Sequence, residues 1–158
     1  MNGVIYLFGA SCSGKSTLGK ALHKDLGSEW TYIDRDDLIE QGICSELTAD
    51  RALEEKVSLI KNRVIVDTQI PWREKKEGEL YFLILPPLEI LLRRDEERTL
   101  KLNRSEKRAY YAREYVKETH GILHQMEKAK FDCHFDSSQS SILQEVDVIK
   151  SLSGRMVP

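Results

Sequence analysis

Cysteine is scarce in this chain: Cys12, Cys44 and Cys133 are the only three among 158 residues. An odd set without metal-site spacing excludes a disulfide framework and fits a reducing cytoplasm. No apolar run approaches the ~20 residues that a membrane helix needs. The first apolar stretch, Val4 to Phe8, has neither a basic flank nor a cleavage site, so no secretory leader is expected. Charge of one sign is missing too. Lys and Arg number 24 and Asp and Glu 26, a net charge of −2, which gives no global attraction to nucleic acid or an anionic membrane. Internal repeats and low-complexity segments are absent. His120 and His124 stand four apart, with Cys133 and His134 downstream. Gly121 weakens a continuous helix between them, so solvated histidines are expected rather than a zinc site. A soluble, cytoplasmic chain folding as one domain over residues 1–158 is the expectation, with no membrane association and enough length to bury a core.

What is present is concentrated near the start. Gly9-Ala10-Ser11-Cys12-Ser13-Gly14-Lys15-Ser16-Thr17 is a complete G-x-x-x-x-G-K-[ST] phosphate-binding loop. The apolar run Val4 to Phe8 before it reads as a strand buried on both faces. After it, Leu18, Ala21, Leu22 and Leu26 recur at helical spacing, with Gly27 as the stop. Gly9 and Gly14 let backbone wrap a phosphate where a side chain would block the approach. Backbone N–H groups of Ser13 to Ser16 then face the anion from a helix N-terminus. Lys15 would reach the β- and γ-phosphates, and the Ser16 hydroxyl would ligate Mg²⁺.

Thr31 to Ile33 reads as a second strand, and Asp34-Arg35-Asp36-Asp37 falls at its C-terminal end, where ligands of open α/β sheets gather. Asp36 and Asp37 open a short helix to Gln41, so one of them is a candidate cap. Asp34 and Asp36 are candidates for metal or catalytic duty. Thr48 to Asn62 is an amphipathic helix capped by Thr48. Arg63 to Asp67 is a third strand, and an acid ending it suits a metal-side role for Asp67. Thr68 to Glu79 reads as a loop with at most one helical turn, from which Gln69, Trp72 and Arg73 are candidates to line a substrate pocket. Leu80 to Leu85 is the fourth strand. Beyond it, Leu88, Leu91 and Leu92 start a helix that turns charged, with Arg93, Arg94, Arg98, Arg104, Arg108 and Arg113 in close succession. A helix through Tyr110 and Tyr115 is expected to end near His120 and Gly121. Phe131 to Asp136 reads as the last strand, and Ser141 to Gln144 as a capping box opening the final helix. The fold class is therefore α/β: five parallel strands with helices on both faces.

In motif order and spacing the chain resembles small P-loop phosphotransferases, nearest to chloramphenicol phosphotransferase-like proteins and more distantly shikimate kinase and the kinase domain of polynucleotide kinases. The resemblance implies a three-layer P-loop NTPase fold with strand order 2-3-1-4-5 and a short arginine-rich lid over about residues 94–118. It implies ATP and Mg²⁺, and transfer of the γ-phosphoryl to a hydroxyl of a small molecule. It puts Asp36 at the general-base position, Asp34 near Mg²⁺ with Ser16 and Asp67, and Lys15, Arg98 and Arg104 on the transferring phosphoryl. Arg94 and Ser137 would touch the nucleotide beside the loop Gly9 to Thr17. Arg35, Asp37, Gln69 and Arg73 would face the acceptor. Two departures stand out: no glycine cluster follows Asp67, and the substrate-binding insert is short. Other readings stay open: a polynucleotide 5′-hydroxyl kinase, with nucleic acid as the less favoured partner, or an ATP-binding regulatory module. No Asn-Lys-x-Asp signature selects the base, and the oligomeric state is not readable.

Overall fold

The computed structural model describes residues 3–154. β1 (Val4–Phe8) enters the phosphate loop and α1 (Lys15–Leu26) leaves it; β2 (Trp30–Asp34) and the short α2 (Arg35–Glu40) follow. Next come α3 (Ala49–Leu59), β3 (Arg63–Thr68), β4 (Glu79–Ile84), α4 (Leu88–Leu102), α5 (Glu106–Gln125), β5 (Cys133–Phe135) and α6 (Ile142–Ser153). All strand pairings are parallel, in the order β2-β3-β1-β4-β5. This is the expected fold class and strand order.

Alternation along β1 divides the core in two, because successive strand side chains point to opposite faces. Val4, Tyr6 and Phe8 join Leu38, Leu53 and Leu123, so α2, α3 and α5 cover one face. Ile5 and Leu7 join Leu18, Leu22, Val146 and Ile149, so α1 and α6 cover the other. Tyr6, Phe8, Tyr81 and Phe131 interlock edge-on and stacked on the first face. A third, smaller cluster pins Ala10 of the phosphate loop against Leu91 of α4 and Val116 of α5.

Several boundaries differ from the sequence reading for local reasons. The cap of α2 is Asp34, whose carboxylate accepts from the Asp36 amide at 2.9 Å, so the helix begins at Arg35 rather than at Asp36 or Asp37. Thr48 occupies the N-cap position of α3, yet its hydroxyl accepts from the Ser45 amide at 3.0 Å and makes no bond to the helix. The segment after Thr68 contains no helical turn. Helix α5 runs through His120 and Gly121 to Gln125, because Thr119 and Leu123 bury the far turn. A mid-helix glycine costs only about 1 kcal/mol, less than burying one leucine returns. The segment about 94–118 is a helical hairpin whose two arms meet through Asn103, Arg104 and Ser105, with Asn103 left-handed at φ 51°. The capping box at Ser141 and Gln144 forms as read.

Leu53 is fully buried and Leu59, six residues along the same helix, is 81% exposed. Leu53→Ala is expected to cost about 2–5 kcal/mol in urea unfolding, and Leu59→Ala no more than about 0.5 kcal/mol.

Candidate active site

The C-terminal ends of β1, β2 and β3 place three groups of functional side chains side by side. Register pairs Asp34 with Asp67 on neighbouring strands and Leu7 with Asp67 on the next. Both acids point to the α1 side, where the phosphate loop turns into the helix. Gly14 takes φ 96°, and Cys12 also lies left-handed at φ 68°. A Cβ on Gly9 would sit 2.5 Å from Ser13 Oγ and 2.9 Å from the Ile84 carbonyl oxygen, so only glycine lets the loop close there.

Asp67 is the centre of the polar network. Its Oδ2 accepts from Ser16 Oγ at 2.8 Å and from the Tyr32 hydroxyl at 2.7 Å. Its Oδ1 lies 3.7 Å from Lys15 Nζ, and among the described residues it has no hydrogen-bond donor. Lys15 is itself buried, as is Asp67. Burial, then the neighbouring Asp67 carboxylate, push the Asp34 carboxyl up to about 6; the Asp36 amide pulls the other way. Tyr32 is pushed well up by burial and by Asp67, so it stays a neutral hydrogen-bond donor. Tyr32 reaches Asp67 across α1 at Gly19, where a Cβ would meet the ring at 2.5 Å.

These groups open into a cavity of about 660 Å³. Residues Ser11 to Thr17 line its floor, Asp34, Asp36 and Asp37 one wall, and Arg94, Arg98 and Ser137 the other. Asp36 keeps 53% of its side chain exposed there. Arg94 braces the wall: Nη1 donates to the carbonyls of Cys12 at 3.1 Å and Ser13 at 3.4 Å and to Ser137 Oγ at 3.1 Å. Ser137 Oγ in turn donates to the Ser13 carbonyl at 2.6 Å, tying the β5–α6 turn to the phosphate loop.

Not every expected residue joins this cavity. Arg104 folds back along α4, donating to Asp95 Oδ1 at 2.9 Å and Thr99 Oγ1 at 3.0 Å, which occupies its guanidinium away from the phosphate loop. Arg73 is spent on Glu79, at 2.7 Å, and Glu54, and lies over the Tyr6 ring with its charge deep in ion pairs. It lines a separate cavity of about 760 Å³ with Trp72, Tyr81 and Met126. Gln69 is buried: its carbonyl oxygen accepts from the Gly9 amide at 3.2 Å and its Oε1 from the Tyr115 hydroxyl. It braces loop to helix rather than lining the cavity. Arg35 is buried behind Asp36, pairing with Glu46 at 2.7 Å. The His120 and His124 rings stack 5.6 Å apart on α5, and among the described residues no group of three or more metal-binding side chains gathers.

Sequence reading missed Tyr32, Gly19, Lys20 and Glu40, the last two on the cavity wall. Tyr32 was findable, since it stands two residues before Asp34 and so shares its face. Gly19 was not, because its need arises only once Tyr32 crosses the helix.

Residues 2–69 match the family model Chloramphenicol phosphotransferase-like protein, a span that holds the phosphate loop, the Asp34 to Asp37 cluster and Asp67. No curated protein matches the sequence. Shikimate kinase from Acinetobacter baumannii in complex with shikimate superposes with a TM-score of 0.68 at 17% identity, covering 100% of this chain and 97% of that one. Shikimate kinase from Aquifex aeolicus gives 0.58 at 20% identity, over 96% of this chain and 97% of its own. A chain of the Pnkp1/Rnl/Hen1 RNA repair complex gives 0.53 at 17% identity, over 80% of this chain and 46% of that one. The architecture is thus the P-loop NTPase fold as small kinases carry it. Within it, the resemblance to chloramphenicol phosphotransferase-like proteins holds over the part that builds the phosphate site. Among the described residues no helix is long and apolar enough to cross a membrane.

Because the folded-state carboxyl of Asp34 sits above its ordinary range, its ionisation opposes folding as pH rises through about 6. Asp34→Asn, which retains a cap oxygen, is therefore expected to raise the metal-free Tm at pH 8. That gain should vanish below the ordinary carboxyl range, near pH 3.5, in thermal unfolding across pH. Gly19→Ala is expected to lower stability, against the roughly 1 kcal/mol that helix propensity alone would add, because the ring of Tyr32 must leave Asp67.

Proposed function

We propose that the protein is an ATP-dependent phosphotransferase that moves the γ-phosphoryl group to a hydroxyl of a small molecule. The observation that carries this reading is one cavity lined both by the anion cradle, Lys15 and Ser16 included, and by the exposed carboxylate of Asp36. The family match over residues 2–69 and the fold of the kinase neighbours support a phosphotransferase in general terms.

The residues present suit both expected partners of such a site. Glycine at positions 9 and 14 keeps the cradle open to a polyphosphate, since a Cβ at Gly9 would collide with Ser13. The Ser16 hydroxyl, Asp67 and Asp34 are hard oxygen donors of the type Mg²⁺ takes, and Asp67 Oδ1 has no hydrogen-bond donor among the described residues. When bound, Mg²⁺ would neutralise charge on the β- and γ-phosphates. The chain's own residues do the rest. Amides of the loop and the N-terminus of α1 hold the phosphates. Lys15 and Arg98 absorb charge as the phosphoryl group moves. Arg94 keeps the loop closed against Ser137, and Asp36 orients the acceptor hydroxyl and takes its proton.

These residues differ in what their loss should do. Asp36→Ala is expected to lower turnover by about 10²–10⁴-fold while leaving ATP affinity within about threefold, read as ADP release and as calorimetric binding. Arg98→Ala should lose turnover by about 10³-fold, and Arg104→Ala should lose little. The acceptor is found by an ATP-consumption screen over hydroxylated metabolites, antibiotics and 5′-hydroxyl oligonucleotides, with Asp36→Ala as the blank. Equal consumption by that blank would overturn the assignment of the base.

A further inference from the structure

Helix α1 carries Ser16, Gly19 and His23 along one stripe, at spacings of three and four residues that share a helix face. Tyr32 of β2 lies along that stripe. Its hydroxyl donates to Asp67 Oδ2 at 2.7 Å, beside the Ser16 hydroxyl that donates to the same oxygen at 2.8 Å. Its ring fills the space over Gly19, where a Cβ would come 2.5 Å from the ring and 3.2 Å from the phenol oxygen. The His23 ring stacks on it, with centroids 6.1 Å apart and planes 20° from parallel. His23 is fixed in turn, since its Nε2 donates to the Trp30 carbonyl at 2.9 Å.

Phenylalanine would serve such packing equally well. What tyrosine adds is one O–H, and that O–H is spent on a carboxylate only 1% exposed. The pair of hydroxyls on Oδ2 has two consequences. A serine hydroxyl carries one proton and two lone pairs. With its proton committed to Asp67, Ser16 keeps both lone pairs for a cation in the cavity that it lines. Asp67 Oδ1 also stops 3.7 Å from Lys15 Nζ, beyond hydrogen-bond range, although both residues are buried. A carboxylate released from one of its two hydroxyls can turn towards that ammonium, which draws it off Ser16.

Resting on the phosphotransferase reading above, we propose that Tyr32 is a positioning residue for the magnesium–nucleotide complex. By holding Asp67 it directs the Ser16 hydroxyl, and so sets how much affinity the cation adds to nucleotide binding. Tyr32 is not among the residues that line the cavity, so its effect passes through Asp67 and Ser16. Groups that orient the ligands of a metal are typically worth roughly 10–100-fold in its affinity. Gly19 belongs to the same device, because only glycine leaves room for the ring on its way to Asp67.

The test is calorimetric titration of the whole chain with a non-hydrolysable ATP analogue, once with excess Mg²⁺ and once with EDTA. The ratio of the two dissociation constants is the gain due to the cation. Tyr32→Phe keeps the ring and its stack on His23, and is expected to cut that gain by about tenfold. A tyrosine with a merely structural role would shift Tm and leave the ratio alone. Gly19→Ala, which displaces the ring rather than trimming it, is an independent second variant with the same expected cut. A ratio within roughly threefold of the unsubstituted chain's, in either variant that remains folded, overturns the inference and leaves the phosphotransferase reading standing, as its expected scale is tenfold or more. An unsubstituted chain that binds the analogue without any gain from Mg²⁺ does the same. Failure to bind the analogue under both conditions overturns the phosphotransferase reading and the inference with it.

Discussion

A single buried carboxylate governs this structure. Asp67 sits at the end of β3 with 1% of its surface exposed, where an unsatisfied acid would be costly. Two hydroxyls and an ammonium compensate it: Ser16 and Lys15 from the first turn of α1, and Tyr32 from β2. The partners come from two elements beside its own strand, so Asp67 fixes how β2, β3 and α1 meet. Oδ1 is left with the Lys15 ammonium at 3.7 Å and no hydrogen-bond donor among the described residues.

The loop is held from its other side as well. Arg94 and Ser137 bind the carbonyls of Cys12 and Ser13, and the Ser13 amide, expected from the sequence to face an anion, instead donates to the Ala10 carbonyl at 3.1 Å. Leu91 and Val116 press on Ala10 from the helical hairpin. Under the proposed phosphotransferase reading, a loop pre-shaped in this manner would pay little reorganisation on binding a polyphosphate. The wall opposite is acidic and comparatively exposed, as Asp36 illustrates. The two walls of the cavity therefore differ in charge and in exposure, a division that suits the proposed transfer from a firmly held donor to a separate acceptor.

Much of the fold was legible because local signals agreed with the global arrangement. The five-residue apolar run of β1, the glycines of the loop and the capping box of α6 each announced a specific element, and strand order followed from resemblance. Side-chain destinations were harder. Arg73 and Arg104 bear the same guanidinium as Arg98, and nothing in their immediate sequence reveals that Glu79 and Asp95 lie within reach. The path of the connecting loop or turn decides such cases, because partners six or nine residues away meet only through a bend that residue spacing does not encode. Tyr32 and Gly19 illustrate the converse, since their importance comes from a contact across an element boundary. The extension of α5 past Gly121 shows burial overriding a local weakness.

The most direct test is a crystal structure with Mg²⁺ and a non-hydrolysable ATP analogue. The account requires the β- and γ-phosphates within hydrogen-bond reach of the Gly14 to Ser16 amides and Lys15, the metal at Ser16 with Asp67 or Asp34 beside it, and the Asp36 carboxylate facing the γ-phosphorus across a gap wide enough for one hydroxyl. A triphosphate bound elsewhere, or an Asp36 turned away from its terminal phosphate, would contradict it.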